Sequence, residues 1–165
     1  MPNSLGFSED AGPDEALEII RDEFQPLLIR PSKEDVERAL QSWSWLAVPA
    51  SPPLFVSAFG DLFFQQPEGV VMLDTLQGAL APVAPDVAGL LKTLALRDAQ
   101  DRLLRSRWVH MARARGLTLG PGECYDWSGR LALGRPLSAD TLTKLSFTLK
   151  LNIAGQLHEQ IRRPG

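Results

Sequence analysis

Residues 54–83, LFVSAFGDLFFQQPEGVVMLDTLQGALAPV, constrain the fold more than any other part of the chain. Runs rich in Val, Phe and Leu alternate there with short segments suited to turns. In Gln66-Pro67-Glu68-Gly69 the proline fixes one φ and the glycine permits the other. Thr75 to Gly78 is a second short turn. The pattern predicts strands over 54–65, 70–74 and 79–83, joined locally into an antiparallel meander. Such sheets usually keep one wet face, yet these strands are almost wholly apolar, so helices are expected over much of the sheet. ECYDW, residues 123–127, reads as a further strand.

Helical spacing brackets this region. Gly12-Pro13-Asp14 opens a first helix, with Leu17, Ile20 and Phe24 on one stripe and Pro26 as the stop. Ser32 starts a second helix, with Glu34 and Asp35 in its first turn and an apolar stripe of Val36, Leu40 and Trp43. Pro49, Pro52 and Pro53 forbid helix before the first strand. After Pro85, one apolar face carries Val87, Leu90, Leu91 and Leu94, and another carries Leu103, Leu104, Trp108 and Met111 up to a C-cap at Gly116. Ser146 is a good N-cap for a last helix whose apolar face is Leu149, Ile153, Leu157 and Ile161. The fold class expected is α+β: a meander of about 4–5 strands, residues 54–83 plus 123–127, packed on several α-helices including a C-terminal one.

The length of 165 residues suits a single domain over 1–165, with residues 1–12 expected to be flexible. Trp43, Trp45, Trp108, Phe55, Phe59, Phe63 and Phe64 supply a core, each contributing about 1.5–3 kcal/mol if buried. Only one cysteine, Cys124, is present, which rules out an intramolecular disulfide. No apolar run approaches the roughly 20 residues that span a bilayer. The opening residues lack the basic-then-apolar plan of a secretion signal. A cytoplasmic protein without membrane association is expected.

The candidate chemistry is sparse. His110 and His158 are the only histidines, and neither sits in an HExxH or other metal-ligand spacing; both read as surface or helix-edge residues. Cys124, between Glu123 and Tyr125 in a strand, reads as a small buried hydrophobe. There is no GxSxG and no phosphate-cradling glycine motif. Asp61 and Asp74 are the acids best placed for a carboxylate-based site, though turn and strand-end roles explain both. No cofactor or metal is expected.

Charge is unevenly placed. Residues 1–40 hold ten acids against four bases, whereas residues 97–115 hold six arginines against two aspartates. The arginines read first as a solvated helix face, next as a protein-binding face, and last as a nucleic-acid-binding face, because the chain is acidic overall. The candidate partner-binding residues are Asp14, Glu15, Glu18 and Asp22 on the first helix, with Arg102 and Arg105 in the cluster.

Three stretches occur in order that resemble a known family: Trp43-Ser44-Trp45-Leu46, then SAFGDLFF with GVVMLDTLQGAL, then PGECYDW, LALG and GQLHEQI. Over residues 40–163 the chain resembles the C-terminal domain family of immunity proteins against type VI secretion DNase effectors. Family members often carry Gly-Gly where this chain has Gly134-Arg135. The resemblance implies a non-catalytic bacterial protein that binds and neutralises a partner toxin. An enzyme with a carboxylate-based site and a nucleic-acid-binding regulator using the arginine helix are the alternatives.

Overall fold

The structure is a computed structural model, which describes residues 12–162. The expected flexibility of residues 1–12 therefore concerns a segment outside the described residues, except for Gly12, which precedes helix α1 (Pro13–Glu23). The class is α+β, as the sequence implies. At its centre lies a five-stranded antiparallel sheet in sequential order: β1 (Leu28–Ile29), β2 (Phe55–Ser57), β3 (Leu62–Gln66), β4 (Gly69–Asp74) and β5 (Ala79–Ala84).

Three details of the sheet depart from expectation. The stretch 54–65 is two strands, because Ala58-Phe59-Gly60-Asp61 turns the chain, with Gly60 at a left-handed φ of 85°. A strand of two residues, β1, joins β2 at the edge with Leu28 opposite Ser57. Nothing so short carries a periodicity signal. Finally, 123–127 does not extend the meander. As β6 (Glu123–Trp127) it pairs with β7 (Leu142–Ser146) in a separate two-stranded sheet.

Alternate residues of the meander feed two cores. Phe55, Phe63, Val70 and Met72 point to one face, while Val56, Leu62, Phe64 and Leu73 point to the other. The first core is completed by Ile20 and Phe24 at α1, by α3 (Val87–Leu94), by α4 (Arg97–Leu104) and by α5 (Ser106–Ala114). The second is completed by Ala39 of α2 (Lys33–Leu40), by Trp43, and by Phe147, Leu151 and Ala154 of the last long helix. Both sheet faces are thus covered, and this explains strands that read as continuous apolar runs. The helix starts follow the residues that predicted them: Ser32 accepts from Asp35 N at the head of α2, and Asp86 does the same for Gly89 N ahead of α3.

The arginine-rich stretch is not one helix. It breaks between α4 and α5 at Arg105, which stands in the left-handed region at φ 53°. Asp101 then caps α5 by accepting from Arg107 N and from the Ser106 hydroxyl. A short helix, α6 (Arg130–Leu133), precedes β7. The final helix, α7 (Phe147–Arg162), starts after Ser146 as expected but faces the other way. Its buried side carries Phe147, Leu151, Ala154, Gly155 and His158, whereas Leu149, Ile153 and Ile161 are exposed. Gly155 allows the close contact: a methyl there would lie 2.5 Å from the Ser42 carbonyl oxygen. The i, i+4 spacing of aliphatics identified a stripe but not the stripe that meets the core.

Candidate functional site

Two sets of charged residues stand out, one inside the molecule and one around an open groove. The inner set grows from the Ala58–Asp61 turn. Asp61 is fully buried and accepts through Oδ1 from Thr75 N (2.9 Å) and from the Thr75 hydroxyl (2.7 Å). Its Oδ2 meets Arg105 Nε at 3.3 Å, and Arg105 Nη2 reaches Asp74 Oδ1 at 3.1 Å. Asp74 Oδ1 also accepts from Leu76 N and Gln77 N, fixing the β4–β5 turn. Arg105 lies 5.7 Å over the Trp127 ring. A non-glycine residue at positive φ costs on the order of 1 kcal/mol or more. Two carboxylates and an aromatic face hold Arg105 there. The two aspartates singled out from sequence are therefore brought together, but by an arginine between them.

Lys150 completes this set from α7. It is buried and donates to the carbonyls of Phe59 and of Tyr125, the latter at 2.9 Å, with Asp126 Oδ1 at 3.6 Å. Sequence reasoning missed it, because a lysine on an amphipathic helix reads as surface. His158, expected at the surface, is buried as well; its Nε2 lies 2.9 Å from the Thr75 carbonyl, which can only accept, so Nε2 carries the proton. Its ring fills the space that a side chain at Gly78 would need: a methyl group there would lie 2.4 Å from the nearest ring atom. Cys124 is buried, and desolvation pushes its thiol up to about 12. His110 is exposed on α5. Among the described residues, no group of three or more His, Cys, Asp or Glu is placed to hold a metal ion.

The outer set surrounds a groove of about 1050 Å³ at the β1 end of the sheet. Its walls are α1, from one face of the sheet, and α2, from the other. Its floor includes Leu28, Ile29, Leu54 and Val56. The groove lies where β1 ends at Ile29, ahead of Pro31, and β2 begins at Phe55, with Leu54 and the 50–53 segment beside it. The Arg21 guanidinium spans the gap, donating to the Leu54 carbonyl from Nε (3.1 Å) and Nη2 (2.7 Å). Glu18 and Asp22 on α1 and Glu37 on α2 stand exposed at its walls, with Arg30 and Lys33 nearby. A smaller cleft of about 460 Å³ shares the segment Leu28–Pro31 and extends toward the 118–123 loop.

The sequence-derived candidates separate accordingly. Glu18 and Asp22 line the groove, while Asp14 and Glu15 are exposed further up the same helix, outside it. Arg102 is exposed on α4 and does not line the groove. Arg105 is removed from the surface set, since its side chain is committed to Asp61 and Asp74. Glu37, Ile29 and Leu54 were not anticipated; the prolines at 26, 31, 49, 52 and 53, which bracket the groove's two extended segments, were the available signal.

No family model matches the chain, and no curated protein matches it. The sequence motifs quoted above map onto the fold. Several of these, Ala58–Asp61, Leu73–Thr75, Glu123–Tyr125 and Gly155–His158, surround the inner charged set.

Proposed function

We propose that this chain is a non-catalytic, immunity-type protein that binds and blocks a partner toxin, with the α1–α2 groove as its docking site. The observation that carries this reading is the contrast in availability. Asp61, Asp74, Arg105 and Lys150 are engaged with one another or with backbone carbonyls. Glu18, Asp22 and Glu37 form no ion pair among the described residues, and they border an apolar floor large enough for a polypeptide segment. The lining balances Glu18, Asp22 and Glu37 with Arg21, Arg30 and Lys33, so the groove suits a partner segment that sets its Lys or Arg against the α1 acids, carries acids opposite Arg30 and Lys33, and lays apolar side chains on the floor. A basic nuclease of the type VI effector class meets that description. The motif resemblance supports the same reading.

The test is co-expression with the product of the adjacent gene. The reading expects co-purification of the two proteins and survival of cells that the toxin alone kills. The double variant Glu18→Arg/Asp22→Arg should remain folded and lose both. Protection by the variant equal to that of the wild type would remove the groove from the proposal, and absence of protection by the wild type would end it.

A further inference from the structure

The two edges of the five-stranded sheet differ. The β5 edge carries exposed Pro82, which has no N–H to offer another strand. The β1 edge keeps outward polar groups. Ala58 N donates to the Leu27 carbonyl, so the next bonded pair of this antiparallel ladder is Ile29 with Val56. Leu28 and Arg30 therefore turn their backbone groups away from β2. The Leu28 N–H is taken by the Gln25 carbonyl. The Leu28 carbonyl, the Arg30 N–H and the Arg30 carbonyl have no protein partner among the described residues. Pro31, next in the alternation, faces the β2 side and removes no donor from this edge.

These groups border the cleft of about 460 Å³ between β1 and the 118–123 loop. Its far wall is the outer edge of β6. Phe147 N donates to the Gly122 carbonyl, which makes Cys124 and Leu145 the next bonded pair and turns the backbone of Glu123 and Tyr125 away from β7. Tyr125 N donates to the Ala58 carbonyl at 2.8 Å, so β6 already meets the main sheet there as a neighbouring strand would. Past that bond the cleft separates the two edges. The free charge in the cleft is positive. Glu123 is held by Lys144 at 3.3 Å and by Gly120 N, whereas the guanidinium groups of Arg30 and Arg113 meet no carboxylate among the described residues.

Residues 28–31 line both this cleft and the α1–α2 groove, so one extended segment can run from the groove across the edge of β1. We propose that the partner toxin binds by strand addition: an extended segment of it pairs with the outer edge of β1 at Arg30 and sets an acidic side chain beside Arg30 and Arg113. The inference rests on the toxin-binding reading above and supplies its binding mode. An extended occupant is selected because the free groups are backbone donors and acceptors at a strand edge, whereas a helix has already spent its own on itself. Charge selects a foreign segment over a second copy of this chain. The bonded pair that the edge offers is Arg30, so antiparallel pairing of two copies would set Arg30 directly against Arg30. A segment with an acid at that position and Lys or Arg further on satisfies Arg30 first and then Glu18 and Asp22.

The test compares the whole chain alone and in complex with the product of the adjacent gene. Hydrogen exchange at the Arg30 amide should be fast in the free chain and slower by at least about tenfold in the complex. Arg30→Pro removes the outward N–H and leaves the Ile29–Val56 pair in place. It should keep the circular dichroism of the wild type and weaken capture by about tenfold, the worth of one hydrogen bond lost at a buried edge. Arg30→Lys, which keeps both the N–H and the charge, should capture nearly as well as the wild type. An Arg30 amide that exchanges equally fast in both states overturns strand addition, and this measurement decides alone if Arg30→Pro does not fold. Undiminished capture by a folded Arg30→Pro overturns it too, and both results leave the groove reading standing. A chain that dimerises without the toxin and protects the same amide assigns the edge to a second copy, which also overturns it. A wild type that captures nothing ends the toxin-binding reading and strand addition with it.

Discussion

The charges around Asp61 and those around the α1–α2 groove are made of the same residue types and do opposite things. Inside, Arg105 bridges fully buried Asp61 and half-buried Asp74, so removing Asp61 in particular leaves a buried network without its partner. At the groove, Glu18, Asp22 and Glu37 remain hydrated and unpaired, so each contributes little to folding and stays available to a partner. What separates the two is burial and the presence of a counter-charge, neither of which is a property of the residue itself.

The contrast can be broken most severely at Asp61. Asp61→Ala leaves Arg105 partly unpaired beside Trp127 and strips Thr75 of its acceptor. A loss of about 3–5 kcal/mol in urea unfolding is expected; a loss no larger than that of a surface substitution would mean that the inner set is not the keystone described. Gly155→Ala probes the packing next to it. Its methyl group would press on the Ser42 carbonyl, and overpacking of this kind costs about 1–3 kcal/mol. Calorimetry should record a lower Tm, and an unchanged Tm would indicate that α7 and the Ser42 turn slide apart freely.

Cys124 sharpens the comparison through pH. Its thiol ordinarily titrates near 9.0 and burial pushes it up to about 12, so in alkali the unfolded chain ionises first. The stability tied to the protonated thiol is complete below the lower value and declines as pH rises toward the upper one, by at most about 1.4 kcal/mol per pH unit. Urea midpoints of the wild type and of Cys124→Ala, compared across that interval, should converge as pH rises; parallel profiles would contradict the burial. The smallest stability effect belongs to the groove. Glu18→Arg/Asp22→Arg should move unfolding by no more than about 0.5 kcal/mol while abolishing partner capture. A large destabilisation there would show that the groove acids are structural after all.

Much of the architecture was legible in the chain. The turn residues Pro67-Glu68-Gly69 and Thr75–Gly78 mark real hairpins, and apolar alternation with no polar face foretold a sheet covered on both sides. The failures share a cause. Gly60 turns the chain and Arg105 breaks a helix, each inside a stretch whose composition favours continuation, and a single backbone dihedral leaves no trace in hydrophobic periodicity. His158 reads as a surface or helix-edge residue and Lys150 draws no attention, because residues of these types usually lie outside the core, yet both are buried. At the candidate site, Glu18 and Asp22 were readable as acids on an amphipathic helix; Glu37 and Leu54 were not, because the groove joins segments far apart in sequence.

The amino-acid sequence by itself determined several helix starts and two of the hairpin turns, since caps, prolines and turn glycines act over a few residues. It also settled that the sheet would be sandwiched, since strands with two apolar faces have no other stable solution. The tertiary structure alone decided which charges are spent inside and which remain on the surface. It also decided which stripe of α7 meets the core. Those outcomes depend on what lies opposite each side chain, and burial and electrostatic pairing are properties of positions brought together in space.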